Sequence, residues 1–199
     1  MVIVEIRGNT DLRKALRRFA PDLEKTLKKE LGAALRPVVR QAKGFVPSES
    51  PMSGWAPRSF SEARFPFYSA TEIKGGITYT TSVGKVNKNG FSSMASIKNK
   101  SAVGAIYEGA GRLGPQRWVG PKAGGKSKGV SRSSNPDAGR QFLENLPPLT
   151  SSLKGSGRLI YRAWAANRGL AEGAAMRAID KALTQFRTRA ATNVFRKAA

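Results

Sequence analysis

Between Thr10 and Val46 the residues Leu12, Leu16, Phe19, Leu23, Leu27, Leu31, Ala34, Val38, Ala42 and Phe45 return at intervals of three and four. That spacing lines one face of an α-helix. Asn9 and Thr10 supply side-chain oxygens for the free amides of a first turn, and Asp11 suits the positive end of the helix dipole. Pro21 and Pro37 interrupt the composition but not the phase of the pattern, which predicts kinks or one short break at Ala20 within a single long element. Helices of globular domains average about 11 to 12 residues. An apolar stripe several times that length must be covered, by the rest of the chain or by other subunits.

With 199 residues the chain can bury a sizeable core, and the expectation is one domain spanning 1–199 with extended loops at about 48–70 and 110–140. Thirty-five Lys and Arg face thirteen Asp and Glu, a formal charge of +22 that points to an acidic partner such as nucleic acid. The excess is distributed: residues 1–47 carry +6, 48–108 carry +3, 109–140 carry +6, 141–153 carry −1 and 154–199 carry +8. No simple basic tail accounts for it. Cysteine and histidine are both absent, which excludes disulfides, thiolate and imidazole metal sites and His-assisted nucleophiles. No apolar run approaches the length of a membrane span, and Glu5 and Arg7 inside the first apolar segment argue against a signal peptide. The expectation is a soluble protein that stays where it is made.

Along the chain, Val2, Val4 and Ile6 alternate with Ile3, Glu5 and Arg7 as in a half-buried strand ending at Gly8-Asn9. After the long helix, residues 48–70 hold Pro51, Pro57 and Pro66 among Trp55, Phe60, Phe65, Phe67 and Tyr68, an ordered loop whose aromatics pack on another surface, of this chain or of a neighbour. Thr71 to Val86, Phe91 to Ile97 and Ala102 to Tyr107 read as three strands of an antiparallel meander, with Asn89-Gly90 as a hairpin turn. Gly109 to Pro136 is a Gly-, Ser-, Lys- and Arg-rich loop with Trp118-Val119 as its apolar island. Phe142, Leu143 and Leu146 suggest a short helix stopped by Pro147-Pro148. Helical spacing resumes after Gly157, and Gly169 and Gly173 divide it into two helices whose alanines allow close approach to the N-terminal stripe. The fold class read from this order is α+β, a long N-terminal helix packed on an antiparallel β-meander with C-terminal helices.

Candidate chemistry is sparse. Gly120, Gly125, Lys126 and Ser127 meet the spacing of a phosphate-binding loop, but no helix pattern follows them. Asp22, Glu24 and Glu30 sit among lysines on the long helix, where surface pairing explains them, and no three acids cluster. No enzyme, cofactor or metal is expected. The cations of the long helix, Arg13, Lys14, Arg17, Arg18, Lys25, Lys28, Lys29, Arg36, Arg40 and Lys43, form either a solvated face or a nucleic-acid face. The stronger DNA-facing candidates are Arg112, Arg117, Lys122, Lys126, Lys128 and Arg132, a set with almost no counter-charge. Leu12, Leu16, Phe19, Leu23, Leu27, Leu31, Val38, Trp55, Tyr107 and Glu108 are the candidates for core or assembly contacts.

The order of parts resembles the tail-completion or head-tail connector (neck, minor tail) proteins of long-tailed bacteriophages. The residues that carry this are the N-terminal strand with Gly8, Asp11-Leu12 and Leu16 opening a basic helix that closes at Ala42-Lys43 and Pro47, then Pro51, Ser53-Gly54 and Trp55, and Ala105-Ile106-Tyr107-Glu108-Gly109. The resemblance implies a structural virion protein assembled in the host cytoplasm, a hexameric ring in the neck that surrounds the DNA channel. Its partners would be copies of itself, neighbouring connector and tail-terminator or tail-tube proteins, and double-stranded DNA, with no membrane and no catalysis. A function of another class fits the same charge: a free-standing basic nucleic-acid-binding protein. The resemblance and their position together give Tyr107 and Glu108 a structural role, fixing the end of the third strand and the following turn, so Glu108→Gln is expected to leave the fold intact; Lys28→Asp, on the polar face, is expected to be mild.

Overall fold

A computed structural model describes residues 2–56, 66–86, 88, 91–112, 137–152 and 155–198. The strand β1 (Val2–Asn9) runs directly into the helix α1 (Thr10–Phe19), and α2 (Pro21–Gly44) follows after one residue. The break falls at Ala20, whose φ of −151° and ψ of 67° are not helical, because Pro21 disfavours helical geometry in the residue before it. Pro21 itself opens α2, where its missing amide is no loss. Leu16, Ala20, Leu23, Leu27, Leu31, Leu35, Val38 and Ala42 are all buried, so the apolar face does cross the break. Phe19 does not share it. It closes α1 with 68% of its surface exposed and Arg18 lying 5.2 Å from its ring centroid, and Ala20 takes the place on the buried face that the spacing gave to Phe19. Leu12 is half-buried against the core.

The sheet contains β1, β2 (Ile77–Thr80) and β3 (Phe91–Asn99), all antiparallel, with β3 in the centre. Val4 and Tyr79 both lie opposite Ile97, and β1 carries an irregularity between Ile6 and Arg7. Two segments predicted as strand are helical. The first part of Thr71 to Val86 is α3 (Ala70–Gly76), and Ala102 to Tyr107 lies in α4 (Ala102–Gly109). In each case a serine hydroxyl caps the first turn: Ser69 accepts from the Glu72 amide at 3.2 Å and Ser101 from the Gly104 amide at 3.0 Å. A capping residue therefore outweighs the strand preference of the Thr, Ile, Val and Tyr that follow. The place left by the third expected strand is filled by β1. Asn89-Gly90 lies outside the described residues. Between α3 and α4 the side chain of Asn99 is buried so closely that a Cβ at Gly104 would overlap its amide.

After α5 (Ala138–Glu144), the helix stopped before Pro147, a small hairpin of β4 (Thr150–Ser152) and β5 (Gly155–Gly157) leads into α6 (Ile160–Ala198). This helix is continuous through Gly169 and Gly173. Each glycine costs about 1 kcal/mol in a helix interior, and the flanking run of buried Ala163, Trp164, Ala171, Ala175, Ala178 and Ala182 supplies more than that in packing. It lies antiparallel to α2, with Asn167 on Gln41, Lys181 Nζ 2.8 Å from Glu30 and Arg189 2.8 Å from Asp22. Asp22 and Glu30, expected to pair along their own helix, instead reach across to α6. Among the described residues no helix is long and apolar enough to cross a membrane.

The elbow between α1 and α2 is held by charge. Arg13, buried, donates to the carbonyls of Thr81 at 2.9 Å and Met94 at 3.2 Å and to Glu24 Oε1 at 2.9 Å, while Lys28 Nζ reaches Glu24 Oε2 at 2.9 Å. Burial pushes the Glu24 carboxyl up, but the hydrogen bonds from Lys28 and Arg13 outweigh it and leave the group below its ordinary value. A folded-state value below the unfolded one means stability that is complete above about pH 4.3 and is lost as pH falls through the lower folded value. Glu24→Gln is therefore expected to lower the urea midpoint most at neutral pH, with the gap to wild type closing on acidification. A gap that stays constant down to pH 3 would show that this ion pair does not stabilise the elbow.

Candidate functional site

Tyr107 and Glu108 sit at the end of α4, not at the end of a strand, and they meet the start of α6. Glu108 is fully buried. Its carboxylate accepts from the amides of Leu159 and Tyr161, the latter at 3.0 Å, and the Ile160 amide adds to the same attraction. A carboxylate from one helix thus caps the first turn of another, where unpaired amides and the dipole both favour negative charge. Burial pushes this carboxyl above its ordinary value, against the pull of the Tyr161, Leu159 and Ile160 amides and of Arg112. Gly157 makes room for the arrangement, since a Cβ there would overlap Glu108.

The reverse contact is made by Arg158. Its guanidinium donates to the carbonyls of Tyr107 at 3.0 Å and Ala110 at 2.8 Å, which face out of the last turn of α4, and to the carbonyl of Pro147. A cation at a helix C-terminus satisfies carbonyls and opposes the dipole together. Each helix of this pair is therefore terminated by a charge from beside the other. On the far side of Tyr107, Trp55 stacks at 6.3 Å and also meets Tyr68 and Phe142 edge-on at 5.3 and 5.2 Å. Trp55 Nε1 donates to the Pro66 carbonyl and the Tyr68 hydroxyl to the Pro47 carbonyl, so the loop after α2 packs inward through these two rings. Burial, then the neighbouring Tyr107, pushes the Tyr68 hydroxyl up to about 12.

Of the DNA-facing candidates, Arg112 lies beside this lock. Its Nε donates to the Ser156 carbonyl and its guanidinium lies 4.8 Å from the Tyr161 ring centroid, so it ties α4 to the approach of α6. Arg117, Lys122, Lys126, Lys128 and Arg132 lie outside the described residues, as does the Gly120–Ser127 stretch. Leu16, Leu23, Leu27, Leu31, Val38, Trp55 and Tyr107 belong to one buried cluster, and Glu108 is buried as well. Among the described residues no group of three acids gathers as a metal would need. Arg158 was not singled out in the sequence. Its only local signal is a charged residue set directly before the apolar pair Leu159-Ile160. Comparison with protein-family models, curated proteins and solved structures finds no match to this chain.

Proposed function

We propose that the chain is a structural subunit of a bacteriophage neck, a hexameric ring between head connector and tail that surrounds the DNA channel. The observation that carries this reading is the set of large apolar side chains turned to solvent on the helices: Phe19 at 68%, Leu170 at 77% and Met176 at 58% exposure. Leu170 borders the groove between α2 and α6, whereas Met176 lies outside that groove, about 120° around α6 from Leu170 at about 100° per residue. A subunit with neighbours on two flanks would bury both in a closed ring. The resemblance through Asp11-Leu12, Ser53-Gly54-Trp55 and Tyr107-Glu108-Gly109 supplies the neck, and the charge of +22 suits a wall facing duplex DNA. The same charge favours a second reading, a free-standing nucleic-acid binder that acts as a monomer.

Solution mass separates the two. The purified chain is expected to form a ring, and Leu170→Ser with Met176→Ser is expected to reduce it to monomers that keep the wild-type circular dichroism spectrum. A wild-type monomer that prefers particular RNA or DNA sequences would establish the second reading. Replacing Lys122, Lys126, Lys128 and Arg132 together by Ala is expected to leave the ring intact and to flatten the dependence of log affinity for DNA on log salt by up to about 4 units, about 0.9 for each phosphate no longer neutralised. An unchanged slope would make that loop a solvated linker.

A further inference from the structure

We propose that the outer face of α2 is a second, rigid contact surface for the phosphates of duplex DNA, formed by Lys25, Lys29, Arg36, Arg40 and Lys43. At about 100° per residue these five fall within roughly 60° of arc, and at 1.5 Å per residue they extend over about 27 Å. Lys25, Lys29, Arg36 and Arg40 are exposed and Lys43 is half-buried. The opposite face of the same helix is buried in the core, so the row is held by the fold.

The acids of α2 leave this row uncompensated. Asp22, at one end of it, is held by Arg189; Glu24 by Arg13 and Lys28; Glu30 by Lys181. Among the described residues none of the five cations has an acidic partner within salt-bridge distance. Arg36 is steadied by a neutral contact, its Nε lying 3.4 Å from the Tyr79 hydroxyl. The backbone beside Tyr79 is close: a Cβ at Gly32 would overlap that ring.

The chemistry of the row selects its occupant. A single strand is held by aromatic rings stacking on bases, and the ring beside this row, Tyr79, is half-buried against Gly32 with its hydroxyl at Arg36. A bilayer would require an apolar face to enter the headgroup region, and that of α2 is already covered by α6 and the sheet. A protein interface would centre on a large anchor side chain, and the arc of these cations holds none; Ala33 and Pro37 flank it on the side of the groove against α6. A straight line of separate positive charges suits a stiff polyanion. At 3.4 Å per base pair, about 27 Å covers roughly eight base pairs of B-form duplex. Contacts to phosphate position the duplex and read no sequence.

This proposal shares with the neck reading the premise that duplex DNA is a partner, and it needs no ring. Its test is fluorescence anisotropy with a short labelled duplex over a salt series. One variant carries Lys25→Ala, Lys29→Ala, Arg40→Ala and Lys43→Ala; a control removes the same charge from exposed positions elsewhere, Lys74→Ala, Lys85→Ala, Lys88→Ala and Lys100→Ala. The first is expected to flatten the slope by up to about 4 units and to weaken all duplex sequences alike, the second to leave it nearly unchanged. Alanine is the strongest helix former, so the helix is retained; circular dichroism checks this, and the glutamine counterparts of the four substitutions replace the variant if it fails. Equal losses in the two variants would overturn the proposal, as would tighter binding of single-stranded DNA or phosphatidylserine vesicles than of duplex. If the slope responds to Lys122, Lys126, Lys128 and Arg132 but not to the α2 row, this proposal fails and the neck reading stands. If the row responds and no ring forms, the reverse holds.

Discussion

Leu31→Asp is expected to abolish cooperative folding, and Leu27→Asp to do the same. Both leucines are buried on the face of α2 that packs on α6 and the sheet. Truncating such a side chain to alanine costs about 2–5 kcal/mol. Aspartate adds a carboxylate with no cation placed to meet it, which costs several kcal/mol more. Whole domains are stable by about 5–15 kcal/mol, so the sum approaches the entire margin. The contrast must be drawn with Lys29→Asp on the exposed face, expected to shift the urea midpoint only slightly. Lys28→Asp, expected from the sequence to be mild, is not a neutral control: Lys28 holds Glu24 Oε2 at 2.9 Å, and an aspartate there would set a second anion beside that carboxylate. A Leu31→Asp protein with the wild-type midpoint would show that this face is not buried.

Glu108→Ala is expected to be the most destructive change outside the apolar core. It removes the acceptor from amides in the first turn of α6 and leaves them buried without a partner. Each orphaned buried donor costs about 1–3 kcal/mol, giving a loss of roughly 3–5 kcal/mol, the range for breaking a buried charged contact. Glu108→Gln keeps one oxygen but turns an NH₂ group toward amides that also donate. The geometry therefore replaces the expectation of an intact fold with an intermediate loss of about 1–3 kcal/mol. Amide hydrogen exchange provides the local readout: protection is expected to fall first in Ile160 to Trp164 and only later along α2. If both variants matched wild type in midpoint and in exchange at α6, the cap would carry no stabilising weight.

The class of fold was legible because the apolar residues of α2 recur every three or four positions; the stripe misplaced one residue at the break before Pro21, where Ala20 is buried in place of Phe19. What was illegible depended on contacts distant in sequence or on single capping atoms. Nothing in the spelling of Ala102 to Tyr107 distinguishes strand from helix until Ser101 is seen to accept from Gly104. Arg13 looks like any other cation of the long helix, and its burial is decided by the carbonyls of Thr81 and Met94, sixty-eight and eighty-one residues away. Tyr107-Glu108 was recognisable as a structural point, but its counterpart Arg158 lies fifty-one residues beyond Tyr107. The cations of α2 were readable as part of a basic helix face. Which of them stay without an acidic partner was not, because Asp22 and Glu30 pair with Arg189 and Lys181 of α6.

The antiparallel pairing of α2 with α6 has a consequence in time. Gln41 meets Asn167 and Asp22 meets Arg189, separations of 126 and 167 residues. On the ribosome α2 is complete long before its cover exists, and at about 5–20 residues per second the interval is roughly six to thirty seconds. Throughout it the leucine face of α2 is exposed to every other nascent chain and to the chaperones that bind such surfaces. The decisive step of folding therefore waits until α6 has been made, and a transcript broken anywhere before its codons yields a sticky fragment, never a smaller native protein.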